Sequence, residues 1–479
     1  SPVARIVIEA DGRFRHYAED KSRELYSSSG YIQEIKSFYN VAWNFTYSGT
    51  YPTRVTHTSG RYIEFFWTGN RLTSVRDPAG SYYGYSYLVD RFGAGQHLLS
   101  AMSFPGTPAS TRAYHYEDAR FPGALTGKSE SGTRYSWFAY DALGRATLSR
   151  HSGSIDRNEF TYTANAEGKP QTVTMNPLGR RTTFTYDNGR VVSASGTATT
   201  YCAGSYRETT YDANGYPNIV SDFEGHLTDY DYAPTGHLLR VVEAAGTPLA
   251  RTTEYVWNIT RNELDAIVRP GQYRIDYTYG SDLRVSAQTV TNLSSNGVYG
   301  QTRTTSYSYA YYGNAQGVQP ALLGMLMRAT IDGPLPGSDD LTVVEYDTYG
   351  NLTSTRNGLG HTTTYSNYNA LGQVGRIVGP NGDTVDYVYD PRGRVVTERR
   401  WHGATAADTV YAYNAQGLVV SVTSPDAVVT HYEYDAARRP VRVWRQANGT
   451  LSDATKEDQL YTYDAMSNVT RVETRKWIN

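Results

Sequence analysis

The residues able to do chemistry in this chain are few and widely separated. Its 479 residues include one thiol, Cys202, so no intramolecular disulfide can form and no thiolate pair can hold a metal. No activating motif flanks Cys202, which reads as a small buried apolar side chain rather than a nucleophile. The ten histidines are dispersed, with no spacing that places two imidazoles, or an imidazole and a carboxylate pair, on one helix face as zinc requires. Gly-x-Ser-x-Gly, His-Glu-x-x-His and a phosphate-binding loop ending in Lys-Ser/Thr are all missing. Gly93-Ala94-Gly95-Gln96-His97 lacks a third glycine and a following helical pattern, which leaves an ordinary turn. A Ser/His/Asp set has no support in the spacing. No catalytic, metal or cofactor residue is assigned.

What the chain does hold in quantity is tyrosine: 44, against 12 phenylalanines. The aromatics come in i, i+2 pairs, among them Tyr85/Tyr87, Tyr114/Tyr116, Phe184/Tyr186, Tyr230/Tyr232, Tyr277/Tyr279, Tyr387/Tyr389, Tyr411/Tyr413, Tyr432/Tyr434 and Tyr461/Tyr463. Side chains two apart on a strand share a face, so these pairs form a stripe. Such a stripe could bind sugars by CH-aromatic contact, or each ring could pack on its equivalent in the next repeat. Spacing that is regular along the whole chain favours packing, because a binding site would be local.

The element that positions the stripe is a hairpin. The phrase Tyr140-Asp141-Ala142-Leu143-Gly144-Arg145 returns at Tyr211-Asp212-Ala213-Asn214-Gly215, Tyr346-Asp347-Thr348-Tyr349-Gly350 and Tyr389-Asp390-Pro391-Arg392-Gly393-Arg394. Decayed forms stand at Tyr434-Asp435 and Tyr463-Asp464. With the variants at Tyr162, Tyr186, Tyr232, Tyr368 and Tyr413, the steps between phrases are mostly 21 to 25 residues. A period of this size is one supersecondary unit that must stack on its neighbours to bury its apolar face. Asp or Asn at the first turn position can accept from backbone N–H groups, and Gly at the fourth supplies a positive φ. Half a period later a second breaker follows, as in Asn176-Pro177-Leu178-Gly179, Asp222-Phe223-Glu224-Gly225, Asn357-Gly358-Leu359-Gly360 and Pro380-Asn381-Gly382. Two turns per period predict two short strands per repeat.

These phrases resemble the RHS/YD-repeat family, clearly from about Tyr135 to Tyr463 and more faintly before. There Phe66-Trp67-Thr68-Gly69-Asn70-Arg71-Leu72 and Asp77-Pro78-Ala79-Gly80 read as a degenerate copy. The resemblance implies an all-β array of short antiparallel strands in a continuous, spiralling sheet, a hollow shell or part of one, as in bacterial polymorphic toxins, insecticidal toxin complexes and the teneurin barrel. It divides the chain into degenerate repeats over 1–130 and regular repeats over 131–479, continuous with the first. It further implies an encapsulating scaffold, not an enzyme, that encloses a polypeptide cargo such as a C-terminal toxin of the same longer chain before delivery, with secretion-system components as further partners. The structural positions it assigns are Tyr140, Asp141, Gly144, Tyr211, Asp212, Gly215, Tyr346, Asp347, Gly350, Tyr389, Asp390 and Gly393. Asp77-Pro78 and Asp390-Pro391 are similar to the Asp-Pro of a self-cleaving core found in toxin-type members. Neither continues in that motif, so no cleavage is expected at them.

Composition suits an extended wet sheet: hydrophobic residues make up 39% and mean hydropathy is −0.55. Tyrosine fits there because it joins a large apolar body to a polar tip. A net charge of −2, with Lys and Arg scattered, argues against a nucleic-acid partner. The longest apolar stretch, Ala321–Met327, is far too short to span a bilayer and reads as a buried strand or short helix. The sequons at Asn44, Asn258, Asn292, Asn351, Asn448 and Asn468 are read as chance products of Asn-rich turns. Ser1 begins the chain without a leader, so any targeting signal is expected outside it. The expected setting is synthesis in a bacterial cytoplasm followed by delivery to the cell surface or beyond. The alternative reading is a carbohydrate-binding adhesion module that uses the tyrosine-rich face.

Overall fold

A computed structural model describes residues 4–18, 21–37, 41–89, 97–197, 205–295, 297–312, 324–446 and 457–476. The chain is all-β: among the described residues forty strands of three to ten residues follow one another, and Ser152–Ser154 forms a short 3-10 turn. Pairing is antiparallel between strands consecutive in sequence, as for Thr133–Tyr140 with Ala146–His151 and Thr384–Tyr389 with Val395–His402. The predicted two strands per repeat are therefore present. Leu326 opens the strand Leu326–Asp332, while Ala321 to Leu323 lie outside the described residues.

The chain divides into two compact units. Unit 1 comprises Ser1–Ile63, Val191–Ala194 and Ser205–Ser366; unit 2 comprises Glu64–Arg190, Ser195–Gly204 and Asn367–Asn479. Each unit is thus built from an earlier and a later stretch of chain. Few side chains are deeply buried, and most strand residues are half-buried, which is what a sheet with two wet faces gives.

The hairpin turns fall on two edges that differ in register. At the edge carrying the Tyr-Asp phrases, here the tyrosine edge, pairing slips by one residue at the tyrosine. Ala139 faces Leu148, yet Tyr140 faces Ala146, so Thr147 is left over as a bulge. The same slip occurs at Tyr232, Tyr346, Tyr389, Tyr413, Tyr434 and Tyr463. At the opposite edge, the turns after Met175, Ser221, Asn357 and Thr423 keep an unbroken register.

Candidate functional site

The turns of the tyrosine edge are closed by the aspartate. Asp141 Oδ1 accepts from the N–H of Leu143 and Arg145 at 2.9 and 3.0 Å, while Gly144 takes φ +77°. Asp212 with Gly215, Asp347 with Gly350 and Asp390 with Gly393 repeat this geometry, with φ of +87°, +79° and +75° at the glycines. The decayed phrases keep the form without glycine, at Arg438 (φ +70°) and Ser467 (φ +63°). The opposite-edge turns use the same Asx chemistry, as at Asp77, Asn176 and Asp222.

Several of these bulges are then clasped by the next repeat. The Tyr389 hydroxyl donates to the Val374 carbonyl, Tyr413 to Val395, Tyr434 to Val419 and Tyr463 to Pro440, at 2.5–2.8 Å. The last three acceptors are the residues that face the preceding repeat's tyrosine at the register slip. A bulge interrupts the ladder there, and the phenol gives a carbonyl its partner. Tyr140, Tyr162, Tyr211 and Tyr279 donate in the same way to Leu125, Ala146, Val191 and Leu264. So do Tyr47, Tyr87 and Tyr116 within the first 130 residues, to Ile32, Leu72 and Leu99. Where tryptophan replaces tyrosine, the Trp257 indole N–H reaches Leu238 O at 2.8 Å, and the bond survives the change of ring. Burial holds the phenols of Tyr140, Tyr389, Tyr413, Tyr434 and Tyr463 above the ordinary tyrosine range.

An arginine after the turn links repeats a second time. Arg394 pairs with Asp390 at 2.6 Å and lies 4.2 Å from the ring centre of Tyr413; Arg145 does the same with Asp141 and Tyr162, and Arg439 with Asp435 and Tyr463. At Gly236-His237 the arginine is replaced, and the His237 ring packs 4.9 Å from Trp257. The expectation that each ring stacks on its equivalent in the next repeat is therefore corrected. Stacks such as Tyr216 on Tyr232 occur, but the recurring partners are a carbonyl at the hydroxyl and a guanidinium on the face. The physical reason is the bulge, which creates a polar demand that a hydroxyl meets and ring-on-ring packing does not.

Within each unit the chain also returns to itself, opposite edge against tyrosine edge. In unit 1, Lys21 reaches buried Glu263 at 3.1 Å, and Arg61 donates to Asn351 Oδ1 at 2.7 Å and to Tyr349 O. In unit 2, Arg392 donates to Ser110 Oγ and lies 4.6 Å from the Phe104 ring centre, and Ser131 Oγ donates to Ala415 O. Further along unit 2, Arg438 lies over Tyr135 and the Asp156 N–H donates to Ala465 O. These partners are hundreds of residues apart, 282 for Ser110 and Arg392, and pair in a constant order along the chain. Nothing in the spacing of the sequence points to this seam.

Residues 368–405 and 413–450 match the family model described as RHS Repeat. Those two stretches carry RHS repeats. No curated protein matches it in sequence. The crystal structure of TcdB2-TccC3 without its hypervariable C-terminal region is similar, with a TM-score of 0.63 at 12% identity over 97% of this chain. TcdB2-TccC3-Cdc42 gives a TM-score of 0.61 at 13% identity over 98%, and the Tc holotoxin pore of Photorhabdus luminescens 0.55 at 14% over 96%. This likeness is one of fold. The chain spans about a quarter of the length of each, 25%, 26% and 25% in that order.

The fold brings some chemistry-bearing residues together. His151 Nδ1, the Asp156 carboxylate and Ser467 Oγ meet in unit 2, but the aspartate stands between the other two, so the serine has no imidazole to take its proton. Asp222, Glu224 and His226 gather within 4.8 Å on one exposed turn. Cys202, Gly93 to Gln96 and Asn448 lie outside the described residues. Asn351 is a sequon whose side chain is buried beneath Arg61, which suits the reading of that sequon as chance. No helix among the described residues is long and apolar enough to cross a membrane.

Proposed function

We propose that the protein is a length of enclosing wall, part of an RHS shell that sequesters a polypeptide cargo, such as a toxin C-terminal to it in a longer chain, until delivery outside the cell. The seam carries this reading: tyrosine-edge turns dock side by side on opposite-edge turns of the same unit, which a closed wall needs and an isolated ribbon does not. The clasp supports it, because a hydroxyl from each repeat holds the one before and a guanidinium holds the ring of the one after. Tyr140, Asp141, Gly144 and their equivalents at 211–215, 346–350 and 389–393 then serve as the wall's joints. The action is steric, with no catalytic group and no cofactor. Sugar binding on the tyrosine stripe is disfavoured, since rings such as Tyr413 already lie under an arginine with their hydroxyls engaged.

Limited proteolysis of the longer natural chain tests this. Cargo inside the intact chain should survive protease that digests the same cargo when free. Equal rates of digestion would overturn enclosure.

A further inference from the structure

We infer that the seam of unit 2 holds a small oxyanion of the phosphate or sulfate class, clamped by Arg392 and Arg394 over the bare backbone of Gly417. The three atoms nearest to a side chain built on Gly417 are all guanidinium nitrogens: Nη1 and Nη2 of Arg392 and Nη1 of Arg394, each at 3.6 Å. Two guanidinium forks thus converge on the next tyrosine-edge turn, 414–417, at the one position where glycine offers them no side chain. Their donors are not used up. Arg394 gives Nε and Nη2 to the Asp390 carboxylate, and its Nη1 is buried without a hydrogen-bond partner. Arg392 gives Nη1 to Ser110 Oγ at 3.2 Å and lies 4.6 Å from the Phe104 ring centre; among the described residues it forms no ion pair.

The acids nearby are committed to other partners. Asp390 holds Arg394, and buried Glu130 holds Arg112 at 2.6 Å, itself 5.7 Å from the same Phe104 ring centre. Three guanidinium groups therefore face two carboxylates, and the charge left over is that of Arg392. Burial, and then the charge of Arg394, hold the Arg392 guanidinium below its ordinary range. A buried N–H without an acceptor and a charge without a counter-ion each cost stability, and one oxyanion relieves both. Guanidinium forks match the paired oxygens of such an ion, whereas a halide presents a single point. Chain surrounds the place: Phe104 and Ser110 come from the earlier stretch of unit 2, the two arginines and Gly417 from the later, and Ser131 Oγ donates to Ala415 O in the turn of Gly417 itself. The ion is a structural ligand of the wall, taking part in no reaction. It joins two successive tyrosine-edge turns to the opposite edge through Arg392, so closure of this part of the seam depends on the ion.

Isothermal titration calorimetry of the 479-residue chain with inorganic phosphate, in chloride buffer of matched ionic strength, should show a single site, and sulfate should compete for it. The thermal midpoint should rise with phosphate at low millimolar concentrations, where general salt exclusion from the surface is slight. Arg392→Gln should keep the parent's far-UV circular dichroism and lose both the heat of binding and the phosphate-dependent rise. A pair of variants at Gly417 reads the site without touching either arginine, because aspartate and asparagine are the side chains best tolerated at its φ of +82°. Gly417→Asp supplies the carboxylate from the chain, so it should bind no phosphate and, in phosphate-free buffer, melt above Gly417→Asn. A parent chain that binds no phosphate, Arg392→Gln binding undiminished, or Gly417→Asp melting no higher than Gly417→Asn would each overturn the proposal.

Discussion

The two edges of the sheet are built from the same turn and are held very differently. An aspartate or asparagine closes the turn and a positive-φ residue ends it at both. At the tyrosine edge, however, the register slips, a carbonyl there is met by the next repeat's phenol, and an arginine bridges the turn to that same ring. At the opposite edge most ladders run unbroken to the turn, as after Met175 and Asn357, the slip at Lys128/Ser129 being an exception. An irregularity in backbone pairing is thus what couples one repeat to the next, whereas the regular edge leaves its turns free for other surfaces.

The largest expected effect comes from forcing a side chain into the tyrosine edge. Gly236→Val would place a β-branched residue at φ +85° with its Cβ 2.7 Å from the Tyr216 hydroxyl and 3.1 Å from Cζ of that ring, which is stacked on Tyr232. A loss of about 3 kcal/mol or more is expected from combined strain and overlap. Gly382→Val on the opposite edge has the same backbone conformation, φ +82°, but open space around it, and should cost about 1–3 kcal/mol. Urea denaturation of both variants ranks them, and equal midpoints would erase the distinction between the edges.

Alkaline pH should act on the same edge next. The clasping phenols are raised above their unfolded value of 10.0 by burial. Their stabilisation is therefore complete below pH 10 and is lost as pH rises above it through the folded values. The later phase of the phenolate absorbance at about 295 nm, from the clasping tyrosines, should climb together with loss of the β signal in circular dichroism rather than ahead of it.

Removing single hydroxyls gives a smaller effect. Tyr434→Phe leaves the Val419 carbonyl without its donor and should cost about 1–2 kcal/mol. Tyr432→Phe, at the other tyrosine of that pair, should cost less in the same thermal melt. The smallest effect has the opposite sign and lies on the opposite edge. Ala427 sits at φ +62°, so Ala427→Gly should raise stability by about 0.5–1 kcal/mol in urea titration.

Much of this was legible in the residues. Tyr-Asp-x-x-Gly specified its turn because the Asx bond and the positive φ are local, spanning four residues. Aromatic pairs at i, i+2 marked strands because the period of a strand is intrinsic to its backbone. The clasp was not legible, although its donor was singled out. A tyrosine two residues from another signals a shared face, but its hydroxyl partner lies 15 residues back at a slip in register that no residue type announces. Trp257 shows the limit well: it breaks the tyrosine pattern and keeps the bond.

By itself, then, the sequence determined the class of fold, the length of the repeat and the chemistry of each turn, all of which rest on interactions between near neighbours. The tertiary structure alone decided that Arg61 covers Asn351 and that Arg392 meets Phe104 and Ser110. Those outcomes depend on how small twists between strands add up over a dozen repeats, a sum set by the whole sheet and written in no single one of them.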